Sequence, residues 1–357
     1  MEAGLYIHIP FCKKRCNYCD FYTFGGKDFV EERYIDALLR EVKKYPDLEC
    51  KTVYFGGGTP SLLSPAQVDR ILSGLKIQEN AEITLEANPE TLTQKKLEGY
   101  YAAGINRLSI GVQTAFDSSL KTLGRIHNTE KVIDAFAMAR KVGFVNLSGD
   151  LMLGLDNYSY NELNSTIELL IQCGVVHISA YMLKVEEGTP FYYNTPAHLS
   201  GEDELSDFYL YTCDKLREKG FLQYEISNFC KEGFQSRHNN IYWQLGDYLG
   251  IGPSAHSCIN GKRFYYPKDL SAFILGNEAI AEGEVDIDDF IMLSLRLKNG
   301  LDLTILKDVW GKELSRQTQN KLKIFEDEGL IEIKDNCISL LPKGFLVENA
   351  IACQLML

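Results

Sequence analysis

Three cysteines carry the first chemical signal. Cys12, Cys16 and Cys19 form CxxxCxxC directly after a short β-rich run, Leu5–Ile9. Three thiolates on one tight loop hold three corners of a cubane iron–sulfur cluster and leave the fourth iron open to a substrate. A zinc ion asks for a fourth Cys or His to close its tetrahedron, and His8 is the local candidate. Unligated structural cysteines are the third reading. The chain has ten cysteines. The other seven (Cys50, Cys173, Cys213, Cys230, Cys258, Cys337 and Cys353) are scattered, as small buried apolar residues would be. The N-terminus lacks the basic and apolar regions of a secretory signal. A reducing cytoplasmic setting is therefore expected, and a disulfide framework is not.

A glycine loop, Gly56-Gly57-Gly58-Thr59-Pro60, follows the second β-rich run. Three glycines let the backbone approach a ligand closely. No Lys-Ser/Thr pair follows, so a phosphate loop is disfavoured; a plain strand-to-helix turn is the alternative. Glu86, Gln113 and Asp150 stand at or near the ends of three later runs, and Arg125 lies in a turn after one of them. An acid, an amide, a guanidinium and a second acid on one rim suit a zwitterionic, ribose-bearing ligand. Carboxylates pair with an ammonium or with ribose hydroxyls, and Arg125 pairs with a carboxylate.

A third motif is His238-Asn239-Asn240-Ile241-Tyr242-Trp243. A neutral imidazole is a common haem-iron ligand, and Tyr242 and Trp243 could stack on a flat macrocycle. The bland reading is a packed aromatic turn with His238 hydrogen-bonded. His256, followed by Cys258, is a second imidazole. His177 is expected in the core, and His127 and His198 at the surface or in loops.

Something must position these groups. β-rich runs occur at Leu5–Ile9, Thr52–Phe55, Glu82–Ala87, Arg107–Val112, Phe144–Leu151 and Val176–Met182. Helical patterns lie between them: Glu31–Lys44, Pro65–Leu75, Thr93–Ala102, Glu130–Val142 and Asn161–Gln172. Ser64-Pro65 is a helix start, and Gly74, Gly104, Gly143 and Gly174 are helix stops. Six strand–helix units predict an α/β fold with a parallel sheet and helices outside it. Six are too few for a closed eight-stranded barrel, so a partial barrel is expected, with a flat doubly wound sheet as its rival. Either way, functional residues belong at the C-terminal ends of the strands.

The domains expected are 1–200 for the partial barrel, 201–285 for a connecting region with HNxxYW, and 286–357 for a small helical module. Within that module, LIEIKDNCISL reads as two strands around Asp335-Asn336, a winged-helix-like pattern. It has 9 Lys and Arg against 12 Asp and Glu. The whole chain of 357 residues carries a formal charge of −12. That balance disfavours nucleic acid as a partner. No apolar run is long enough to span a bilayer, though peripheral membrane contact stays open.

The cysteine spacing, with Tyr18 before the last cysteine, resembles the radical S-adenosylmethionine (SAM) superfamily. In that superfamily a 4Fe-4S cluster binds SAM at its open iron, and electron transfer yields a 5′-deoxyadenosyl radical. YIHIPFCxxxCxxCDF, GGGTPS, LEANPE, RLSIGVQ, LGRIH and SGDLMLGL together resemble the oxygen-independent coproporphyrinogen III oxidase family. That resemblance implies SAM contacts at Tyr6, Gly57, Gly58, Thr59, Glu86, Gln113, Arg125 and Asp150, and cluster ligation by Cys12, Cys16 and Cys19. The oxidase branch carries CxxxCxxCxC, where this chain has Phe21, and a longer segment before the cysteines. HNxxYW is similar to the HemW branch, regarded as haem chaperones, and implies haem contact at His238, Tyr242 and Trp243. The resemblance implies haem as bound cargo, a haem-accepting protein and an electron donor. Radical decarboxylation of propionates to vinyl groups is the alternative function.

Overall fold

The structure, a computed structural model, describes residues 1–356. Six strands run β1 (Glu2–Ile9), β2 (Glu49–Gly57), β3 (Lys76–Ala87), β4 (Arg107–Gln113), β5 (Asn146–Leu153) and β6 (His177–Met182). They alternate with α1 (Glu32–Val42), α2 (Pro65–Leu72), α3 (Gln94–Ala103), α4 (Asp117–Thr122), α5 (Thr129–Val142) and α6 (Tyr160–Gln172). Neighbouring strands from β1 to β6 are parallel and lie in sequence order. A doubly wound sheet reverses its strand order at a switch point. This sheet does not, so its curvature runs one way, as in a partial barrel.

Local signals set the helix ends. Ser64 caps α2 in a capping box with Gln67, and Pro65 takes the first helical position. Gly104 and Gly143 close α3 and α5 in the left-handed conformation, at φ +108° and +118°.

The two faces of the sheet differ chemically. Leu5, Ile7, Ile9, Ile83, Leu85, Leu108, Ile110 and Val112 are buried apolar residues of the main core. The alternate positions are polar: Tyr6 and His8, Thr52 and Tyr54, Glu82, Thr84 and Glu86, Arg107 and Ser109, then Asp150, His177 and Ser179. A strand sends alternate side chains to opposite faces. The apolar face is covered by helices and the polar face lines the barrel interior, which is therefore built to hold polar groups.

Residues 201–285, read from sequence as a connection, extend this sheet at both edges. After α7 (Pro190–Tyr193) and α8 (Glu202–Glu218) come β7 (Leu222–Gln223) and β8 (Asn228–Cys230), with β8 antiparallel to β6. Then α9 (Arg237–Trp243) leads to β9 (Tyr248–Ile251), parallel to β1. The strands β10 (His256–Ile259) and β11 (Lys262–Tyr265), the helix α10 (Leu270–Leu275) and β12 (Ile280–Glu284) follow. The sheet has twelve strands. These added strands of two to five residues are too short to show a period-2 pattern, so they read as irregular.

The last part holds α11 (Ile287–Arg296), β13 (Leu301–Asp302), α12 (Leu303–Asp308), α13 (Arg316–Asp327), β14 (Ile331–Lys334), β15 (Cys337–Leu340), α14 (Pro342–Phe345) and α15 (Glu348–Leu355). β13, β15 and β14 form a small antiparallel sheet. Asp335 and Asn336, at φ +50° and +61°, make the tight turn between β14 and β15. No helix of the described residues is long and apolar enough to cross a membrane.

Candidate functional site

The C-terminal ends of β1–β6 open into a cavity of about 340 Å³. Its wall includes Cys12, Cys16 and Cys19, then Gly57, Gly58 and Thr59, then Glu86, Gln113, Arg125 and Asp150. Of the residues expected to touch SAM, Tyr6 does not line it. Tyr6 lies one layer lower, beneath Gly56, and its phenol is bonded to His8 Nδ1 at 3.0 Å. The reason is register: across the sheet Tyr6 is level with Tyr54, Thr84 and Arg107, two residues below Glu86 on β3.

The cysteine loop is strapped into place. Cys12 N–H donates to Phe24 O, and Phe24 N–H to Pro10 O, so the loop returns alongside its own start. Arg15 forks onto the carbonyl of Cys19 through Nε and Nη2. Asn17 donates to Leu123 O and Thr122 O, which anchors the loop to the end of α4. Among the described residues no three His, Cys, Asp or Glu side chains converge on a single metal ion. The three cysteines share a cavity wall instead. Desolvation pushes the Cys12 thiol up to about 11 and also raises Cys19. His8, the candidate zinc partner, is buried and occupied: Nδ1 meets Tyr6 and Nε2 meets Tyr22 O.

The glycine loop presses against the cysteine loop. Gly57 has φ +109°, and a Cβ there would meet the His8 ring at 2.6 Å. Only glycine accepts both constraints. Glu86 accepts from Tyr54 Oη at 2.7 Å and from Gly57 N–H at 3.2 Å. Desolvation raises its carboxyl to about 7, against the lowering effect of Tyr54. Asp150 is raised for the same reason and accepts from Ser109 Oγ at 3.2 Å. Gln113 turns into the cavity from φ +71°, a left-handed position that non-glycine residues seldom adopt. Arg125 lies over Gly111, donating to its carbonyl at 2.8 Å and from Nη1 to Cys16 Sγ at 3.5 Å. Its Nε is buried without a partner among the described residues. Its spare N–H suits an anionic ligand group.

HNxxYW does not reach this cavity. It forms α9, which packs at the opposite, N-terminal mouth of the barrel. There a Cβ on Gly4 would meet Ile241 at 2.9 Å and His238 at 3.3 Å. His238 is fully buried. Its Nδ1 bonds Thr52 Oγ1 and its Nε2 bonds Tyr242 Oη, both at 2.6 Å. Neither ring nitrogen is free for iron, and burial lowers its pKa to about 3. Trp243 lies under Arg296 of α11, at 4.3 Å. Of the residues expected to meet haem, His238 is thus enclosed in the barrel floor, while Tyr242 and Trp243 are half-buried beside it.

Other residues depart from expectation too. His127 lies in the loop between α4 and α5, as expected, but is buried there, 3.3 Å from Glu90. His177 is in the core as expected, between Ser148 and Tyr224, and His198 is exposed. His256 is exposed and bonded to Glu282. Five of the scattered cysteines are buried, but Cys337 is only partly covered and Cys353 is exposed. Sequence reasoning missed Tyr54, Asn88, Ser109 and Tyr181 at or beneath the cavity. The polar half of the strand alternation was the signal that could have found them.

Comparison with known proteins follows the same lines. The Radical SAM superfamily pattern matches residues 6–170, and the HemN C-terminal domain matches residues 283–347. The heme chaperone HemW of Bacillus subtilis is 33% identical over 97% of this chain and 97% of its own length. That of Haemophilus influenzae is 34% identical over 99% and 93%, and that of Escherichia coli 39% over 71% and 69%. Among solved structures, coproporphyrinogen III oxidase (HemN) from Escherichia coli aligns with a TM-score of 0.83. That alignment covers 99% of this chain and 89% of the other at 23% identity, a likeness of fold.

Proposed function

Because the chain belongs to the HemW family of radical SAM proteins, we propose that it is a cytoplasmic haem chaperone holding a 4Fe-4S cluster and SAM in this cavity. The observation that carries the reading is the single wall shared by three cysteines and seven SAM-type residues, with Phe21 at its mouth. The donor set fits a cubane cluster: three soft thiols, no fourth ligand at hand, and the Arg125 cation against one sulfur.

Cys12, Cys16 and Cys19 would hold the cluster. Gly57, Gly58, Thr59, Glu86, Gln113, Arg125 and Asp150 would hold SAM. When bound, the cluster supplies one electron to the sulfonium of SAM, delivered to it by an electron-donor partner. Glu86, once ionised, pairs with an ammonium, and Arg125 orients a carboxylate through its free Nε–H. Asp150, steadied by Ser109, accepts from ribose hydroxyls.

Haem would meet the chain at the cavity mouth. Phe21 is 61% exposed there, beside the exposed Tyr181 and Met182. Lys14, also exposed on the mouth, suits a propionate of a porphyrin, whereas Lys184 there is paired with Glu186 at 2.7 Å. Haem would then pass to an acceptor protein. The test is haem titration of the anaerobically reconstituted protein. Saturation near one equivalent supports the reading, and no saturable spectrum sinks it. A second reading, a radical decarboxylase, draws on the completeness of the SAM wall, which a carrier alone has little need to retain.

A further inference from the structure

We infer that Tyr54 and His238 are positioning residues for Glu86, so that the HNxxYW helix acts on the SAM-binding wall through Tyr54. The inference rests on the reading that the cavity holds SAM.

The chain of contacts is continuous from floor to rim. Glu82 accepts the backbone N–H groups of Arg237 and His238, at 3.2 and 3.1 Å, which fixes the start of α9 to β3. Thr52 and Tyr242 hold the two nitrogens of His238. The imidazole lies nearly parallel to the Tyr54 ring, with centroids 5.0 Å apart and planes at 22°. Tyr6 lies beside Tyr54 at 6.1 Å and 26°. The phenol so placed donates to Glu86 Oε1, while Gly57 N–H holds Oε2.

A carboxylate on a strand end has free rotation about its last bonds. Two donors in fixed places remove that freedom, and one of them is a side chain whose own position depends on His238. Glu86 is thereby aimed before a ligand arrives. HNxxYW needs no contact with haem to matter for function.

The test uses the full-length reconstituted protein with SAM and haem as separate probes. Tyr54→Phe keeps the ring and removes the donor. His238→Ala removes the stacking partner. Both should weaken SAM binding, Tyr54→Phe by about five- to twentyfold, while haem stoichiometry stays at the wild-type value. Tyr54→Phe should also move the pH midpoint of SAM binding upward. The charged and titratable groups facing Glu86 are Tyr6 on β1, Tyr54 on β2, Arg107 on β4, Asp150 on β5, Tyr181 on β6 and Tyr242 on α9. Tyr54→Phe alters one of them alone. A purely structural role would lower the melting temperature without moving that midpoint.

Unchanged SAM affinity and midpoint in Tyr54→Phe would overturn the inference. So would loss of haem binding in His238→Ala with SAM affinity intact. If His238→Ala fails to fold, Tyr54→Phe decides alone. If the wild-type protein itself does not bind SAM, the reading of the cavity falls first and this inference with it.

Discussion

Thr59 donates its hydroxyl to the Sγ of Cys12 across 3.3 Å. The glycine loop after β2 and the cysteine loop after β1 are thereby one unit, and Asn88 braces it by donating to the same hydroxyl at 3.1 Å. A Cβ at Gly58 would meet Phe11 O at 2.8 Å, Ile9 O at 2.9 Å and Cys12 Sγ at 3.0 Å. Two of those atoms are backbone and cannot move aside cheaply. Gly58→Ala should therefore destabilise the apoprotein by ~1–3 kcal/mol, as overpacking does, and lower its iron and sulfide content after reconstitution. Thermal unfolding and metal analysis check this. Wild-type iron content in the variant would contradict the coupling of the two loops.

Serine at Cys12, Cys16 or Cys19 should each abolish stable cluster assembly, because three thiolates are the whole protein donor set of the cavity. Serine at Cys213 or Cys230, both buried on other elements, should leave iron content unchanged. Iron per chain and the brown colour of the reconstituted protein separate the two groups.

Arg125→Lys should weaken SAM binding although the charge survives. The guanidinium reaches Gly111 O and Cys16 Sγ at once and keeps Nε–H spare. An ammonium is a single point of charge and cannot reproduce that fork. A tenfold or larger rise in Kd, measured by equilibrium dialysis, is the expected size, about 1.4 kcal/mol. Equal affinities would remove Arg125 from the ligand wall.

SAM affinity should rise with pH through about 7, the value to which desolvation lifts Glu86. The sign follows from the folded carboxyl being raised: it keeps its proton up to that range and becomes an anion above it. Only the anion pairs with an ammonium, so affinity should increase about tenfold from pH 6 to pH 8. In the apoprotein the same shift costs stability as pH rises from the ordinary carboxylate range towards 7. Glu86→Gln should flatten both profiles, leaving weak SAM binding at all pH values. A wild-type affinity flat between pH 6 and 8 would count against Glu86 as the ammonium's partner.

Phe21→Ala should weaken haem binding severalfold and leave cluster content and SAM affinity intact, since the ring is exposed at the mouth while the cluster loop is held by backbone contacts. Haem titration with parallel iron analysis reads both quantities.

Much of this arrangement was legible in the chain. Six apolar-and-polar alternating runs between capped helices define the sheet, and Ser64-Pro65, Gly104 and Gly143 mark helix ends where the backbone places them. Seven of the eight expected SAM residues meet around one cavity because strand ends in a parallel sheet all point the same way. Tyr6 lies one layer below that wall, which residue type could not reveal because it does not encode depth along a strand. The place of HNxxYW in the fold was hidden for a different reason: its residue types suit a haem ligand and a buried aromatic cluster equally. Only the long-range contacts of His238 with Thr52 on β2 and of α9 with Glu82 on β3 separate the two. The edge strands β7–β12 are set by partners distant in sequence, so nothing local announces them.

The central claim is tested most directly by one paired assay on a single anaerobically reconstituted sample, in which haem titration and coproporphyrinogen turnover with SAM and reductant are measured together. The account predicts a saturable haem spectrum near one equivalent and no carbon dioxide released from coproporphyrinogen, beside an active oxidase control. Carbon dioxide release, with haem binding weak and unsaturable, would contradict it.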